Sequence, residues 1–336
     1  MAAVPNTQES WHNISALLRL LDLDSLGSFN LAVDMKVQLI LVGKQSAAAR
    51  HACPYCECYG EYNCDCPSYT FSSLQQHLTN FQADGADLKA AKKFTNVVNP
   101  ALISGPPDRR IIEVLNFSEL HVMTGVVGKL IGELIKAFSN TQAGQEFVDS
   151  FMRTHNIKWC PYQPNSFEGN QAKKMIDHSS DLKLAARELP QLEAEEKEKV
   201  LGFCHTLEEF KKVVDAAFGQ KLDPSFRESI ASFSASYRQL GISVTPKVHC
   251  VERHLSEFLE HKGLQAGLGY YSEQAMETAH ADFKVDWEWV KVGPNHQDYA
   301  KQLFGAILRG AFNSYFYKYY ALLIRRHLVF GSIFIK

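Results

Sequence analysis

Long apolar runs and an excess of charge of either sign are both missing from this sequence. No stretch of about 18 or more uncharged apolar residues occurs, so a membrane-spanning helix is not expected. The 35 basic residues are balanced by 37 acidic ones, for a net charge of −2, so no general basic field marks a nucleic-acid binder. With 46% apolar and 21% charged residues, the composition is that of a folded globular protein.

The first residues, MAAVPNTQES, lack the charged segment and the apolar core of a secretory signal peptide. The eight cysteines are therefore interpreted as thiols and metal ligands in a reducing compartment, and not as a disulfide framework. The expected location is the nucleus or the cytoplasm, with no membrane as a partner.

Strand patterns are scarce, and most of the chain shows the three- and four-residue spacing of amphipathic helices. Thr206 with Glu209 resembles a capping box that opens a helix. Asp223 begins another helix, which Gly241 ends. Further helical segments are predicted over residues 118–138, 193–199, 275–287 and 303–311, the second of them as a solvent-exposed helix face.

The best strand candidate is FNLAVDMKV, residues 29–37, a short apolar run that one carboxylate interrupts. A charge inside a sheet is costly unless it lies at a strand end or binds a metal. Asp34 is therefore expected at the end of this strand.

Five of the eight cysteines lie within fourteen positions, in HACPYCECYGEYNCDCP. Cys53 and Cys56 have C-x2-C spacing, which lets two thiolates bind one ion at about 2.3 Å. A four-cysteine site inside this run would need very tight loops, and the commoner solution adds two ligands from a distant segment. The other three cysteines have the less typical C-x-C spacing and are left as extras or ligands of a second ion: Cys58, Cys64 and Cys66.

A second ligand pair occurs in TPKVHCVERHLSEF, where His249 and His254 have H-x4-H spacing after a proline. H-x3-5-H is a recognised zinc spacing, and the imidazoles converge if the first lies just before a helical turn. The spacing leaves three alternatives open. The metal site has two cysteines and two histidines, or it lies inside the cysteine run, or there is no metal and these are ordinary polar histidines and free thiols.

Several short motifs follow one another along the chain: LAVDMK, CPYC, ELHVMTG, FEGNQAKKMI, TPKVHCVERH and GLGYYSEQAMETAHADF. Their succession resembles the C-terminal part of the catalytic region of Transib-like transposases and the V(D)J recombinase. It is also similar to related transposon-derived proteins with a SEQ…E(S/T)xHxDF signature. The resemblance covers residues 29–290, which is most of the chain.

Members of that family are RNase H-like DDE enzymes, so the resemblance implies metal-dependent cleavage and transfer of DNA strands. Their three carboxylates hold two Mg²⁺ or Mn²⁺ ions, which prefer oxygen ligands. Two such ions about 3.5–4 Å apart stabilise both the entering and the leaving oxygen. DNA is the partner that the resemblance implies, and a homodimer is a further expectation.

Matched residue by residue, the resemblance implies that Asp34 is the second catalytic carboxylate and Glu277 the third, both as ligands of Mg²⁺ or Mn²⁺. Glu273 is the substitute if the match is shifted by one helical turn. The other interpretations are a strand-end or helix-capping role for Asp34 and a solvent-exposed helix face for Glu277. The structural zinc ligands of the family correspond to Cys53, Cys56, His249 and His254.

The sequence departs from the family before Asp34. An RNase H fold carries its first carboxylate on an earlier strand, but the preceding segment resembles a linker and one amphipathic helix ending near Asp22 and Asp24. The expected fold is mainly α with a small α/β remnant: a partial RNase H-like core lacking its first strands, with a long helical zinc-binding insertion. The predicted divisions are residues 1–50 (partial core), 51–265 (insertion), 266–312 (catalytic-type helices) and 313–336 (divergent tail).

The expected function is that of a transposon-derived, DDE-transposase-like protein that is a catalytically incomplete remnant. One alternative is a zinc-stabilised helical binding module without catalysis. Another is an active nuclease whose first carboxylate comes from upstream sequence or another chain. Exposed basic residues near the zinc would favour nucleic-acid contact, because phosphates need such charge; the candidates are Lys89, Lys92, Lys93, Arg109, Arg110, Lys173 and Lys174.

Overall fold

A computed structural model describes residues 3–4, 9–21, 30–46, 48–59, 66–161, 163, 166–189, 192–272, 288–293, 296–299, 301–302, 306 and 334–335. The described residues are mainly helical, as the sequence predicts. Their strands are limited to β1 (Ala3–Val4) and β2 (Phe334–Ile335), which pair in parallel. No helix among them combines the length and the apolar character needed to cross a membrane.

The α-helices of the described part are labelled in chain order. They are α1 (Trp11–Leu21), α2 (Met35–Leu41), α3 (Phe71–Ala83), α4 (Glu119–Lys136), α5 (Thr141–Thr154), α6 (Gly169–Asp177), α7 (Ser179–Arg187), α8 (Ala194–Val213), α9 (Phe226–Gln239), α10 (Pro246–His249) and α11 (Leu255–His261). Turns of π-helix continue α8 over Val214–Phe218 and α10 over Cys250–His254. Turns of 3-10 helix cover Ala91–Phe94, Ile111–Glu113 and Leu268–Tyr270.

The helix α4 organises the packing, because α5, α6, α8 and α10 all contact it. Its buried side chains recur every three or four residues, at Val122, Val126, Leu130 and Leu134 among others. Each such side chain stabilises the fold by about 1.5–3 kcal/mol when fully buried. The helix predicted over residues 118–138 is confirmed.

The strand predicted over FNLAVDMKV is wrong. Leu31 makes only an isolated parallel bridge to Leu115, and the helix α2 begins directly after Asp34. Asp34 is the N-cap of α2, since its Oδ1 accepts a 2.7 Å hydrogen bond from the Val37 N–H. Aspartate is among the best N-cap residues, so the carboxylate that interrupts the apolar run starts a helix there.

The capping box predicted at Thr206 and Glu209 is also wrong, because α8 runs through both residues without a break. Thr206 Oγ1 donates to Gly202 O at 3.0 Å and lies 2.6 Å from Ser236 Oγ on α9. A threonine can thus satisfy its hydroxyl inside a helix by bonding to the carbonyl four residues earlier. The solvent-exposed helix face predicted over residues 193–199 is confirmed as the start of α8.

Both predicted ends of α9 are confirmed. Asp223 Oδ1 accepts a 2.8 Å hydrogen bond from Ser225 N–H just before the helix begins at Phe226. Gly241 follows the helix with a φ of +65°, a backbone conformation that glycine adopts at low cost.

A single cluster of buried apolar side chains extends from Ile14 to Leu268. It crosses the predicted division between residues 50 and 51; the four predicted divisions stay predictions. The helices predicted over residues 275–287 and 303–311 lie outside the described residues, apart from Ala306.

Two helical glycines should respond to alanine in opposite directions. A Cβ at Gly144 in α5 would lie 2.4 Å from Ile135 O and 2.9 Å from the Phe138 ring, whereas one at Gly132 in α4 meets nothing within 4 Å. We expect Gly144→Ala to lower the free energy of unfolding by about 1–3 kcal/mol. Gly132→Ala should raise it by roughly 0.5–1 kcal/mol. Urea unfolding of both variants checks this, and equal shifts would contradict the packing of α5 on α4.

Candidate metal centre

The first half of the site is a tight turn over the CPYC motif. The Tyr55 N–H lies 3.4 Å from Cys53 Sγ and points its hydrogen at the sulfur. The chain then pairs in antiparallel fashion with residues 67–69, where the Tyr69 N–H donates to Tyr55 O at 2.8 Å. This pairing fixes the backbone of Cys56, whose sulfur lies within 4.8 Å of that of Cys53.

The second half depends on the π-helical turn. Residues five apart on an ideal α-helix point about 140° away from each other, so H-x4-H would not converge there. Here the Leu255 N–H donates to Cys250 O, five residues back, in the hydrogen-bond pattern of a π-helix. His249 lies inside the helical segment and not before it. Because a π-helical turn contains one residue more than an α-helical turn, the His249 and His254 ring centroids come to lie 5.0 Å apart.

These two halves meet in a buried group of four side chains: Cys53, Cys56, His249 and His254. One ligand atom from each lies within 4.8 Å of all the others. Cys53 Sγ is 3.4 Å from His254 Nε2, and Cys56 Sγ is 3.2 Å from His249 Nε2. Tetrahedral bonds of about 2.3 Å to sulfur and 2.0–2.1 Å to nitrogen give an S···N separation of about 3.6 Å. The group could therefore hold a metal ion with little movement.

The charges of this group suit a dication. Two thiolates and two neutral imidazoles carry a formal charge of −2, so a divalent ion makes the buried cluster neutral. Without an ion, the hydrogen bond that the Cys56 thiol donates to Cys53, together with burial, raises the pKa of Cys56. Metal binding must then displace thiol protons, which couples affinity to pH.

Glu257, on the first turn of α11, orients one of the imidazoles. Its Oε2 lies 2.9 Å from His254 Nδ1, and its Oε1 accepts a 2.7 Å hydrogen bond from Arg110 Nη1. Burial alone would raise the pKa of Glu257, but the hydrogen bond from His254 and the charge of Arg110 outweigh it and lower that pKa. A carboxylate on Nδ1 leaves Nε2 as the ligand atom and strengthens it as a donor.

Lys44 supports the turn that carries Cys53. Its ammonium is buried and donates to Cys53 O at 3.0 Å and to the Tyr69 hydroxyl at 2.9 Å. Burial lowers the pKa of Lys44 to about 8, although the neighbouring Cys53 and Cys56 act in the opposite direction. Sequence reasoning missed both Lys44 and Glu257. Only Glu257 had a sequence signal, its position three residues after His254.

Two further cysteines of the run, Cys58 and Cys66, do not join the group. Among the residues that the structure describes, Cys58 is buried and Cys66 is half-buried, and neither belongs to a set of metal-ligand atoms. Cys64 lies outside the described residues. Of the alternatives that the spacing left open, the geometry fits the mixed pair of cysteines and histidines.

Asp34, expected as a catalytic carboxylate, lies at the start of α2 with one oxygen bound to a backbone N–H. Burial lowers the pKa of Lys247, while Cys250 and, to a smaller extent, the negative charge of Asp34 act in the opposite direction. α2 is tied to the metal group, because the Tyr55 hydroxyl lies 3.0 Å from Gln38 Oε1. Glu273 and Glu277, like Asp22 and Asp24, lie outside the described residues.

Most of the basic residues singled out in the sequence have acceptors within the fold. Lys93 lies near Asp84, Arg109 and Arg110 near Glu113, Lys173 near Asp177, and Lys174 Nζ near Asn156 O. Lys89 and Lys92 instead line an open cleft of about 500 Å³ together with Arg50. Arg50 also contacts the ring and hydroxyl of Tyr59.

In comparisons with known proteins, the sequence matches no family model, and no curated protein is significantly similar to it. The resemblance to DDE transposases therefore rests on the succession of motifs.

Removing a single ligand should release the ion and destabilise the fold together. We expect Cys53→Ser and His254→Ala each to abolish stoichiometric metal binding and to cost at least ~3 kcal/mol of unfolding free energy, since structural zinc sites contribute more than this. Elemental analysis and thermal unfolding of the same samples check both effects. Cys160→Ser, remote in sequence from the group and half-buried, is the control and should change neither. Metal retained by either ligand variant would contradict the assignment.

Glu257→Gln should weaken metal binding without abolishing it. Losing the carboxylate on a ligating histidine typically costs 10–100-fold in affinity, and we expect a loss in this range in a competition titration with a chelator. Glu260→Gln is the matched control, because Glu260 lies on the same helix but binds Arg227. Equal effects of the two substitutions would show that Glu257 does not act through His254.

Proposed function

We propose that Cys53, Cys56, His249 and His254 hold a structural zinc ion. The mixed thiolate and imidazole set supports zinc over Mg²⁺ or Ca²⁺, which prefer oxygen ligands. Four protein ligands leave no open position for substrate, which is typical of structural and not of catalytic zinc. When bound, the ion would cross-link the two segments. Glu257 orients the His254 ring, and Lys44 supports the turn that carries Cys53.

We infer further that the chain is a transposon-derived, DDE-transposase-like protein. The observation that carries this proposal is the pairing of CPYC with TPKVHCVERH, two distant motifs that the family resemblance joins in one zinc site. Cys56 and His249 are 193 positions apart, yet their ligand atoms lie within 3.2 Å. In this proposal the helices between Cys56 and His249 are the zinc-binding insertion of a partial RNase H-like core. The partners are DNA and a second copy of the chain.

The same proposal makes the chain a catalytically incomplete remnant. Asp34 caps a helix and lies near the half-buried Lys247, whereas a Mg²⁺ or Mn²⁺ site needs clustered carboxylates with free oxygens. Among the described residues, no group of three His, Cys, Asp or Glu ligand atoms includes Asp34. These features support a structural role for Asp34 in place of the expected catalytic one.

A zinc-stabilised binding module without catalysis is the second candidate. The cleft lined by Arg50, Lys89 and Lys92 favours it, because three cationic side chains around one opening suit an anionic partner. Both candidates share the zinc site and expect no DNA cleavage; they differ in whether the helices around the site belong to a DDE-transposase-like core.

Two substitutions at Asp34 separate capping from catalysis. Asparagine caps a helix about as well as aspartate, whereas alanine costs about 0.5–2 kcal/mol. If Asp34 is a cap, Asp34→Ala should lower the free energy of unfolding by that amount and Asp34→Asn by only a few tenths. A metal-binding carboxylate predicts equal, small effects of both variants in denaturant titrations.

Incubation of the zinc-loaded chain with linear and supercoiled DNA and Mn²⁺ tests the remnant directly. We expect that the parent chain and the Asp34→Asn variant give the same result, with no DNA strand cleavage that depends on Asp34. Cleavage that is lost in Asp34→Asn but kept in the Cys160→Ser control would overturn the proposal and restore the nuclease interpretation.

A further inference from the structure

A second group of side chains that could bind a metal lies among residues that the zinc site does not use. His155 follows the last residue of α5, and His178 joins α6 to α7. Asp181 lies on the first turn of α7. One ligand atom from each of the three falls within 4.8 Å of the other two.

The backbone holds the two histidines in place. The turn after α5 closes with a 2.8 Å hydrogen bond from Ile157 N–H to Met152 O, and Lys174 Nζ on α6 donates to Asn156 O in the same turn at 3.1 Å. His178 is fixed by its N–H bond to Lys174 O at 3.0 Å. Both α5 and α6 also pack on α4, so the imidazoles meet because three helices are fixed relative to one another.

The contact between the rings is close. The His155 and His178 ring centroids are 4.1 Å apart at an angle of 44°, and His178 Nδ1 lies 2.8 Å from Asp181 Oδ2. The His178–Asp181 pair alone is an ordinary pairing of residues three apart on a helix. An ordinary ion pair does not need a second imidazole. Here His155, which follows α5, lies close to the same carboxylate, as a metal site requires.

We propose that His155, His178 and Asp181 form a second metal site, for an exchangeable divalent ion of the zinc, nickel or copper class. Imidazole nitrogen favours these ions over Mg²⁺ or Ca²⁺. Two imidazoles and one carboxylate leave at least one coordination position for water or for a ligand from a partner. Asp181 and His178 keep 56% and 38% of their side-chain surface exposed, so the ion exchanges with solvent while the buried zinc does not. This site is independent of the proposed function.

Zinc binding by the tag-free chain tests the second site. The chain is first passed over a chelating resin, which leaves the buried zinc in place, and zinc is then titrated by calorimetry. We expect one further equivalent to bind in the micromolar range. His155→Ala and His178→Ala should each weaken this second step at least tenfold and leave the retained zinc unchanged. His205→Ala is the control, an exposed histidine of α8 near Glu208, and should have no effect.

The half-exposed positions of these side chains let the variants fold, and unfolding after the resin treatment should give the same midpoint for each variant and the parent chain. Absence of a second equivalent, or equal weakening by His205→Ala, would overturn the second site. Loss of the retained zinc in His254→Ala with the second step intact would separate the two sites. Loss of metal from the buried site can therefore be distinguished from loss of metal binding at the second site.

Discussion

The meeting of two distant segments in one buried group of four metal-ligand side chains is the constraint on which the rest of the structure depends. Closing a loop of about 190 residues costs roughly 5 kcal/mol of chain entropy, and Cys56 and His249 are 193 positions apart. A structural zinc site contributes about 10–16 kcal/mol in small zinc-binding peptides. A bound zinc ion would therefore offset the cost of closure about two- to threefold, even before the packing of the helices in between is counted.

Contacts around the group carry its effect outward. Glu257 and Arg110 connect His254 to the chain before α4, and Tyr55 connects the cysteine turn to α2 through Gln38. Lys44 ties the same turn to Tyr69. Loss of the ion would leave a buried lysine beside uncoordinated thiols, so metal loss and local unfolding should occur together.

Features with a short-range signature were predictable from the sequence. The C-x2-C and H-x4-H spacings marked the two ligand pairs as candidates, which the family resemblance joined in one site, and regular apolar spacing indicated α4. The strand expected to end at Asp34 was wrong because a short apolar run fits a strand or a helix start equally well, and only the bond to Val37 decides. The capping box predicted at Thr206 was wrong because the Thr206 hydroxyl is bonded to Gly202 and Ser236 instead. The contact of His155 with His178 depends on how three helices pack, so no spacing indicates it.

The zinc edge X-ray absorption spectrum of the purified chain tests the central claim most directly. Our account predicts two sulfur ligands at about 2.3 Å and two nitrogen ligands at about 2.0–2.1 Å around a single tightly held ion. His249→Ala should remove this signal. A shell of four sulfurs would place the site inside the cysteine run, and a shell without sulfur would show that Cys53 and Cys56 bind no metal; either result would contradict the account.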